Sequence, residues 1–234
     1  MSLNETGVLL IRGFLPVIQY SDMAPANTTS DPPIARMDEC GVGKPMQEYL
    51  RGCAAFHTYA APGLLIGAFM VDYALELLGA TPDEKLYAVC ETPKCVPDAL
   101  QVIAHCTTGN HRLRIIPIGK FAITVNRASS STSAEGVRVY LDREKLKQFP
   151  VIALWYANSP GYDKGSMHAE LEREILRAGR TILSHEKVTI DVTPKRKWRS
   201  VTCPVCGETI PDYMMEGDRC SACGSQKYYR SRNG

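Results

Sequence analysis

The 234-residue chain contains neither a Gly-x-Gly-x-x-Gly turn nor a P-loop. The backbone cradles that hold dinucleotides and nucleoside triphosphates are therefore not written in it. It has no internal repeat. It has almost no net charge: 27 Lys and Arg stand against 25 Asp and Glu, for +2, which gives no ground for a nucleic-acid binder spread over the whole chain. It also lacks a run able to cross a membrane. The longest candidate, Gly63 to Leu78, is too short and carries Asp72 and Glu76. Val8 to Ile18 is mildly apolar, but Arg12 interrupts it and no positive residue precedes it, so it makes a poor signal peptide despite the Ala24-Pro25-Ala26 that follows. These absences set the expectation of a cytoplasmic protein with no membrane partner.

What is present is ordinary for a folded protein: 44% hydrophobic and 22% charged residues. The length allows one medium domain and a small appendage. Residues 1–46 read as an N-terminal extension, with a strand-like run from Gly7 to Ile18 and a Pro/Asn/Thr/Ser/Asp stretch from Pro25 to Pro33. Residues 47–193 read as one core domain. Pro62 and Gly79 bracket a long helix, because proline suits the first helical position and glycine the C-terminal cap. Its inner face takes Leu65, Ala68, Phe69, Leu75 and Leu78, and Asp72 and Glu76 mark its wet face. Leu86 to Cys90 reads as a buried strand and Pro97 to His105 as a short helix. Arg112 to Ile118, Lys120 to Asn126 and Gly136 to Leu141 read as strands, with a turn at Ser129 to Ser133. A second long helix is expected over Ser166 to Ser184 and a further strand over Val188 to Val192. Strands and helices do not alternate strictly, so the class is α+β: a mixed sheet covered by helices, not a doubly wound sheet.

Residues 194–234 form the appendage. They carry eight Lys and Arg against four Asp and Glu, for +4, and the remainder carries −2. Within them stand Cys203-Pro204-Val205-Cys206-Gly207 and Cys220-Ser221-Ala222-Cys223-Gly224. Two residues between cysteines let both sulfurs reach one ion at about 2.3 Å, and the following glycine permits a tight turn. In a chain this long the paired motif points to metal binding in a reducing compartment and not to a disulfide framework. Four thiolates close a tetrahedron and leave no open position for catalysis, so the expectation is a structural Zn2+, with iron or a redox dithiol as the alternatives. The module has too few large apolar residues to fold on burial alone, and the metal supplies the folding energy.

Several central segments recur in a known order. They are Phe56-His57 followed by Pro62-Gly63 and a long apolar helix, Glu91-x-x-x-Cys95-x-x-Asp98-Ala99-x-Gln101, Cys106-Thr107-Thr108-Gly109-Asn110, and Gly119-Lys120. In these the chain resembles the E-subunit (FmdE) family of formylmethanofuran dehydrogenases, whose members often carry a C-terminal cysteine-rich zinc finger, a treble clef in relatives, though two matching knuckles also suit a zinc ribbon. The family's first motif usually reads His-Gly-His and then Cys-Pro-Gly. Here Tyr59 stands at the second histidine and Ala61 at the cysteine, so no role of those two residues carries over.

The remaining candidates for a core site are Cys95 and His57 as reactive groups, with Asp98 and Cys106 as further binding residues. Cys95 lies at a helix N-terminus, where unsatisfied N–H groups favour a thiolate, and two converging N-termini would make an anion pocket. The bland alternative is a packed thiol and a hydrogen-bonded loop histidine. Cys106 follows Cys95 by eleven positions across a helix, so the two lie about 15 Å apart and cannot share one ion within it. Cys53 and His57 have a Cys-x-x-x-His spacing with no local partner.

Three functions remain open. The resemblance implies an accessory, metal-binding protein of one-carbon, molybdenum or tungsten enzyme metabolism, a homodimer associated with redox-enzyme subunits that carry the hydride and pterin chemistry themselves. A second transition metal in the core would fit this reading. The second is a stand-alone metal- or cysteine-dependent enzyme at His57 and Cys95. The third is an adaptor that binds nucleic acid or protein through the basic linker, Trp198, Tyr228 and Tyr229. A basic linker is otherwise simply solvated.

Overall fold

The computed structural model describes residues 32–192 and 196–230. The strand-like run from Gly7 to Ile18 lies outside them. The chain divides into two compact units between Ile190 and Asp191.

The first unit is a five-stranded mixed sheet with helices. After a single turn, α1 (Pro32–Ala35), come α2 (Lys44–His57), α3 (Pro62–Leu78), β1 (Leu86–Cys90), α4 (Val96–Ile103), β2 (Leu113–Ile115), β3 (Ala122–Arg127), β4 (Ser133–Leu141), α5 (Pro150–Tyr156), α6 (Lys164–Ala178) and β5 (Leu183–Asp191). The sheet order is β2-β1-β3-β4-β5. β1 runs parallel to β2 and antiparallel to β3, and β3 antiparallel to β4, with Ala88 opposite Leu113 and Val125. A parallel pair needs a crossover, and α4 supplies it. The buried face of the sheet follows the two-residue period: Leu86, Ala88 and Cys90, then Ile123 and Val125, then Val137, Val139 and Leu141.

α3 is the centre of this unit. It packs against α2, α4, α6, β3 and β4. Pro62 opens it, and Gly79 closes it at φ 58°, where its N–H reaches the Glu76 carbonyl. From Pro62 to Val71 every residue is buried, so the helix is apolar all round in its first half. The wet face expected from Asp72 and Glu76 is confined to the second half, where both carboxylates pair with Arg180. Small residues set its distance from α4. A Cβ on Gly63 would lie 3.3 Å from Cys95 Sγ, and one on Gly67 3.3 Å from Val96 Cα.

Other boundaries differ from the sequence reading for local reasons. β2 stops at Ile115, ahead of Pro117, which has no N–H to give a ladder. The second long helix starts at Lys164, because Asp163 caps it by accepting from Gly165 and Ser166 N–H. It ends at Ala178, and a 3-10 turn over Gly179–Ile182 leads into β5. Met37, Val42 and Met46 lie before residue 47, which the sequence takes as the start of the core, and they are buried in its apolar cluster.

The second unit holds two short antiparallel hairpins, β6 (Ser200–Thr202) with β7 (Thr209–Pro211), and β8 (Met215–Glu216) with β9 (Arg219–Cys220). Among its described residues there is no α-helix. No helix of the described residues is long and apolar enough to cross a membrane.

Gly67→Val drives two methyl groups toward the Val96 backbone, which cannot yield as a side-chain tip can. Urea unfolding is expected to show a loss of at least about 2 kcal/mol, although valine is the better helix former. Unchanged stability would mean that the contact between α3 and α4 is looser than its geometry.

Candidate functional site

His57 is the last residue of α2, and Thr58, at φ 78°, ends the helix there. The ring thus sits at a helix C-terminus, where exposed carbonyls favour a cation. Its Nδ1 meets Asp98 Oδ2 at 2.6 Å, across 41 residues of sequence. Asp98 is in the first turn of α4 and also accepts from Gln101 Nε2 at 3.2 Å. The hydrogen bond the ring donates to Asp98, then one to Cys95, raises the His57 pKa from 6.5 to about 9, and partial burial opposes the rise. Tyr59 stands beside the imidazole with ring centroids 5.1 Å apart. The structure thus brings together three of the four candidates, His57, Cys95 and Asp98.

Cys95 has an unusual backbone. Its φ of 51° and ψ of −53°, with Val96 N–H donating to the Lys94 carbonyl at 2.5 Å, make it the centre of a γ-turn of the rare positive-φ kind. Such a turn is strained, and strain of this sort persists only where the surroundings hold it. They do so here. α3 presses on Cys95 at Gly63. Upstream, Glu91 is held by both ends of the Arg138 guanidinium at 2.5 and 2.9 Å and takes part in backbone bonds with Ala122 and Gly119. Glu91 and Gly119 of the sequence motifs therefore act in the frame that carries Cys95.

The fourth candidate, Cys106, lies elsewhere. It is buried, and its thiol donates to the Leu86 and Ala104 carbonyls at 3.3 and 3.4 Å, with burial pushing its pKa up to about 11. Its motif builds a turn: Asn110 Oδ1 accepts from Thr107 and Arg112 N–H, and Asn110 Nδ2 donates to the His105 carbonyl. Cys53 is one helical turn before His57 but fully buried, and burial followed by the Asp98 charge raises it to about 12. The anion pocket expected at the start of α4 is not offered by its first amides, since Val96 N–H goes to Lys94, Asp98 N–H goes to Cys95, and Pro97 has none.

In the second unit the ligand atoms of Cys203, Cys206, Cys220 and Cys223 all lie within 4.8 Å of one another. Cys206 and Cys220 sulfurs are 3.9 Å apart, close to the roughly 3.8 Å edge of a tetrahedron with 2.3 Å bonds. Gly207 takes φ 74°. Gly224 is needed for room instead, since a Cβ there would collide with the Glu216 carboxylate. Cys220 N–H donates to Cys203 Sγ at 3.3 Å, as amides do toward a ligating sulfur. Hydrogen bonds, led by the Cys206 amide, draw Cys203 down to about 6, whereas its sulfur neighbours, Cys220 first, push Cys223 up to about 12. Four crowded sulfurs share negative charge poorly without a cation, and the donor set fits a closed tetrahedral metal such as zinc. Among the described residues this is the one group of three or more Cys, His, Asp or Glu so gathered. His57, Cys95 and Asp98 do not form a second.

The sign of the His57 shift fixes a pH dependence. Its pKa is raised on folding, so its contribution to stability is complete below about 6.5 and is lost as pH rises through about 9. NMR titration of the His57 ring is expected to show a midpoint near 9 that falls by at least about one unit in Asp98→Asn. A midpoint near 6.5 in the parent would show that the pair is not formed in solution.

Known proteins share this arrangement of segments. Residues 56–190 match the family model described as FmdE, molybdenum formylmethanofuran dehydrogenase operon. That span contains His57, Cys95 and Asp98. The crystal structure of a tungsten formylmethanofuran dehydrogenase FmdE-like protein from Syntrophus aciditrophicus is 35% identical, with a TM-score of 0.66 over 79% of this chain and 95% of that one. A probable S-adenosyl-L-methionine-binding protein of Archaeoglobus fulgidus is 29% identical over 138 residues, 55% of this chain, and the match spans only 37% of that relative's length. The family match over residues 56–190, together with the 35% identical structure that covers 79% of the chain, makes this chain a member of the FmdE family.

Proposed function

We propose that the chain is an accessory protein of formylmethanofuran dehydrogenase-type one-carbon metabolism. In this reading the C-terminal module holds a structural zinc and the core presents a thiol–imidazole–carboxylate site that works without a metal of its own. The observation that carries it is the pairing of His57 with Asp98 beside Cys95, inside the span that matches the family.

The donor count supports the metal-free core. Nδ1 of His57 is taken by Asp98, so the imidazole has one nitrogen left and Cys95 one sulfur. Where the resembled pattern has a histidine and a cysteine, this chain has Tyr59, a weak ligand, and Ala61, which has no donor and is buried at the start of α3. Asp98, the third possible donor, is bonded to His57 and Gln101, and the three are not gathered as the C-terminal sulfurs are. The soft pair alone falls short of the three or four ligands that zinc sites use. Hydride and pterin chemistry would belong to partner subunits.

Metal analysis tests the division of labour. The parent chain and Cys95→Ala with His57→Ala are each expected to carry one zinc, and Cys203→Ser with Cys206→Ser none. Two equivalents in the parent, falling to one in the core variant, would replace the thiol reading with a metal one. For the accessory role, the chain is expected to co-migrate on gel filtration with catalytic subunits of a molybdenum or tungsten formylmethanofuran dehydrogenase from the same cells. Separate migration at micromolar concentrations of both would contradict it.

A further inference from the structure

Of the five cysteines in the first unit, Cys40 is partly exposed, while Cys53, Cys90 and Cys106 are fully buried, and burial holds their pKa values at about 11 to 12. Cys90 and Cys106 spend their S–H on backbone carbonyls. Cys95 differs on each count. It is partly exposed, stands in a strained turn, and is hydrogen-bonded to an imidazole that a carboxylate orients. Nucleophile, imidazole and orienting carboxylate in that order are the arrangement that activates a thiol.

The backbone narrows the electrophile. Acyl transfer builds negative charge on oxygen and needs amide donors aimed at it. The first amides of α4 are committed to the chain, as Val96 N–H goes to Lys94, Asp98 N–H goes to Cys95, and Pro97 carries none. Attack on a sulfur creates no oxyanion and needs no such donors. The surroundings narrow it further. Tyr59 lies against the imidazole. Phe121 reaches within 3.5 Å of the Cβ position of Gly63, the residue that touches Cys95, and makes edge contacts with Trp155 and Tyr156. Tyr59 and Tyr156 are 44% and 38% exposed, so the aromatic rim is open to a ligand.

We propose that Cys95 is a nucleophile for thiol–disulfide exchange with disulfides that bear aromatic or apolar groups, with His57 as its proton donor and Asp98 as a positioning residue. The Cys95 thiolate attacks one sulfur of R–S–S–R′. A Cys95–S–S–R bond forms, and the R–S–S–R′ bond breaks with its electron pair on R′S. That thiolate takes a proton from the imidazolium. Cys95 is oxidised, R′S is reduced, and the external disulfide is the oxidant. This rests on the metal-free reading of the core. The titratable groups around the ring are Cys53 on α2, Tyr59 after it, and Cys95 and Asp98 at the start of α4.

The test uses the full, zinc-loaded chain and 4,4′-dithiodipyridine at pH 7. One fast equivalent of thiopyridone is expected, with the adduct on Cys95 by peptide mass spectrometry. It should be absent in Cys95→Ser, whose folding is checked by circular dichroism. Asp98→Asn should slow it about tenfold or more and move the alkaline limb of the pH–rate profile to lower pH, and Asp98→Glu should recover part of the rate. A fast adduct on another cysteine would overturn the proposal. So would a Cys95 rate equal to that of the urea-unfolded chain and indifferent to Asp98→Asn. If metal analysis finds one zinc and Cys95 is slow, this inference alone fails. If it finds a second metal bound at Cys95 and His57, the underlying reading fails with it.

Discussion

The close approach of α3 to α4 is the constraint from which the core site follows. Gly63 and Gly67 present backbone where side chains would otherwise stand, and Cys95, Val96 and Ala99 fill that space. With α4 pressed this near, the chain must turn sharply between β1 and α4, and the turn falls on Cys95 with positive φ. A non-glycine residue there costs on the order of 1–3 kcal/mol. The surrounding framework bears it through the Glu91–Arg138 pair on one side and the buried first half of α3 on the other. The same register sets Asp98 one turn into α4, opposite the end of α2, where His57 waits.

Electrostatics then fix the state of the imidazole. The carbonyl end of α2, the Asp98 carboxylate and the neighbouring sulfur all favour the cation, and only burial opposes it. A protonated imidazole is a poor metal ligand and a good proton donor. Tyr59 and Ala61 add neither a second imidazole nor a second thiol to the cluster. The C-terminal module is the converse case. Its four sulfurs crowd together with no carboxylate or imidazole among them, an arrangement suited to a metal cation.

How much of this is legible in the sequence depends on range. Local signals read directly. Pro62 and Gly79 fix both ends of α3, the β1 strand falls at Leu86–Cys90, and the spacing of the four C-terminal cysteines names their cluster. α2 escapes the reading although Met46, Leu50, Cys53 and Ala54 carry a helical period, because the boundary between extension and core is drawn at residues 46 and 47, inside the helix. α5 escapes it for its shortness, at seven residues. The His57–Asp98 bond spans 41 residues, and no spacing announces a contact of that kind. The role of Cys106 is open for the opposite reason, since a cysteine inside a motif can serve the fold as well as a site, and here Asn110 shows that the motif makes a turn. Nothing in sequence marks a γ-turn at a non-glycine residue, so the strain at Cys95 requires coordinates.

That strain is the most direct consequence of the helix contact, and one comparison measures it. Unfolding free energies of Cys95→Gly and Cys95→Ala remove the same thiol and differ only in backbone freedom. If α3 and α4 force positive φ at this position, the glycine variant is the more stable by about 1 kcal/mol, even though glycine ordinarily loses to alanine near a helix. An alanine variant as stable as the glycine one, or more so, would mean that the turn relaxes without the thiol and that the helix contact does not hold Cys95 in place.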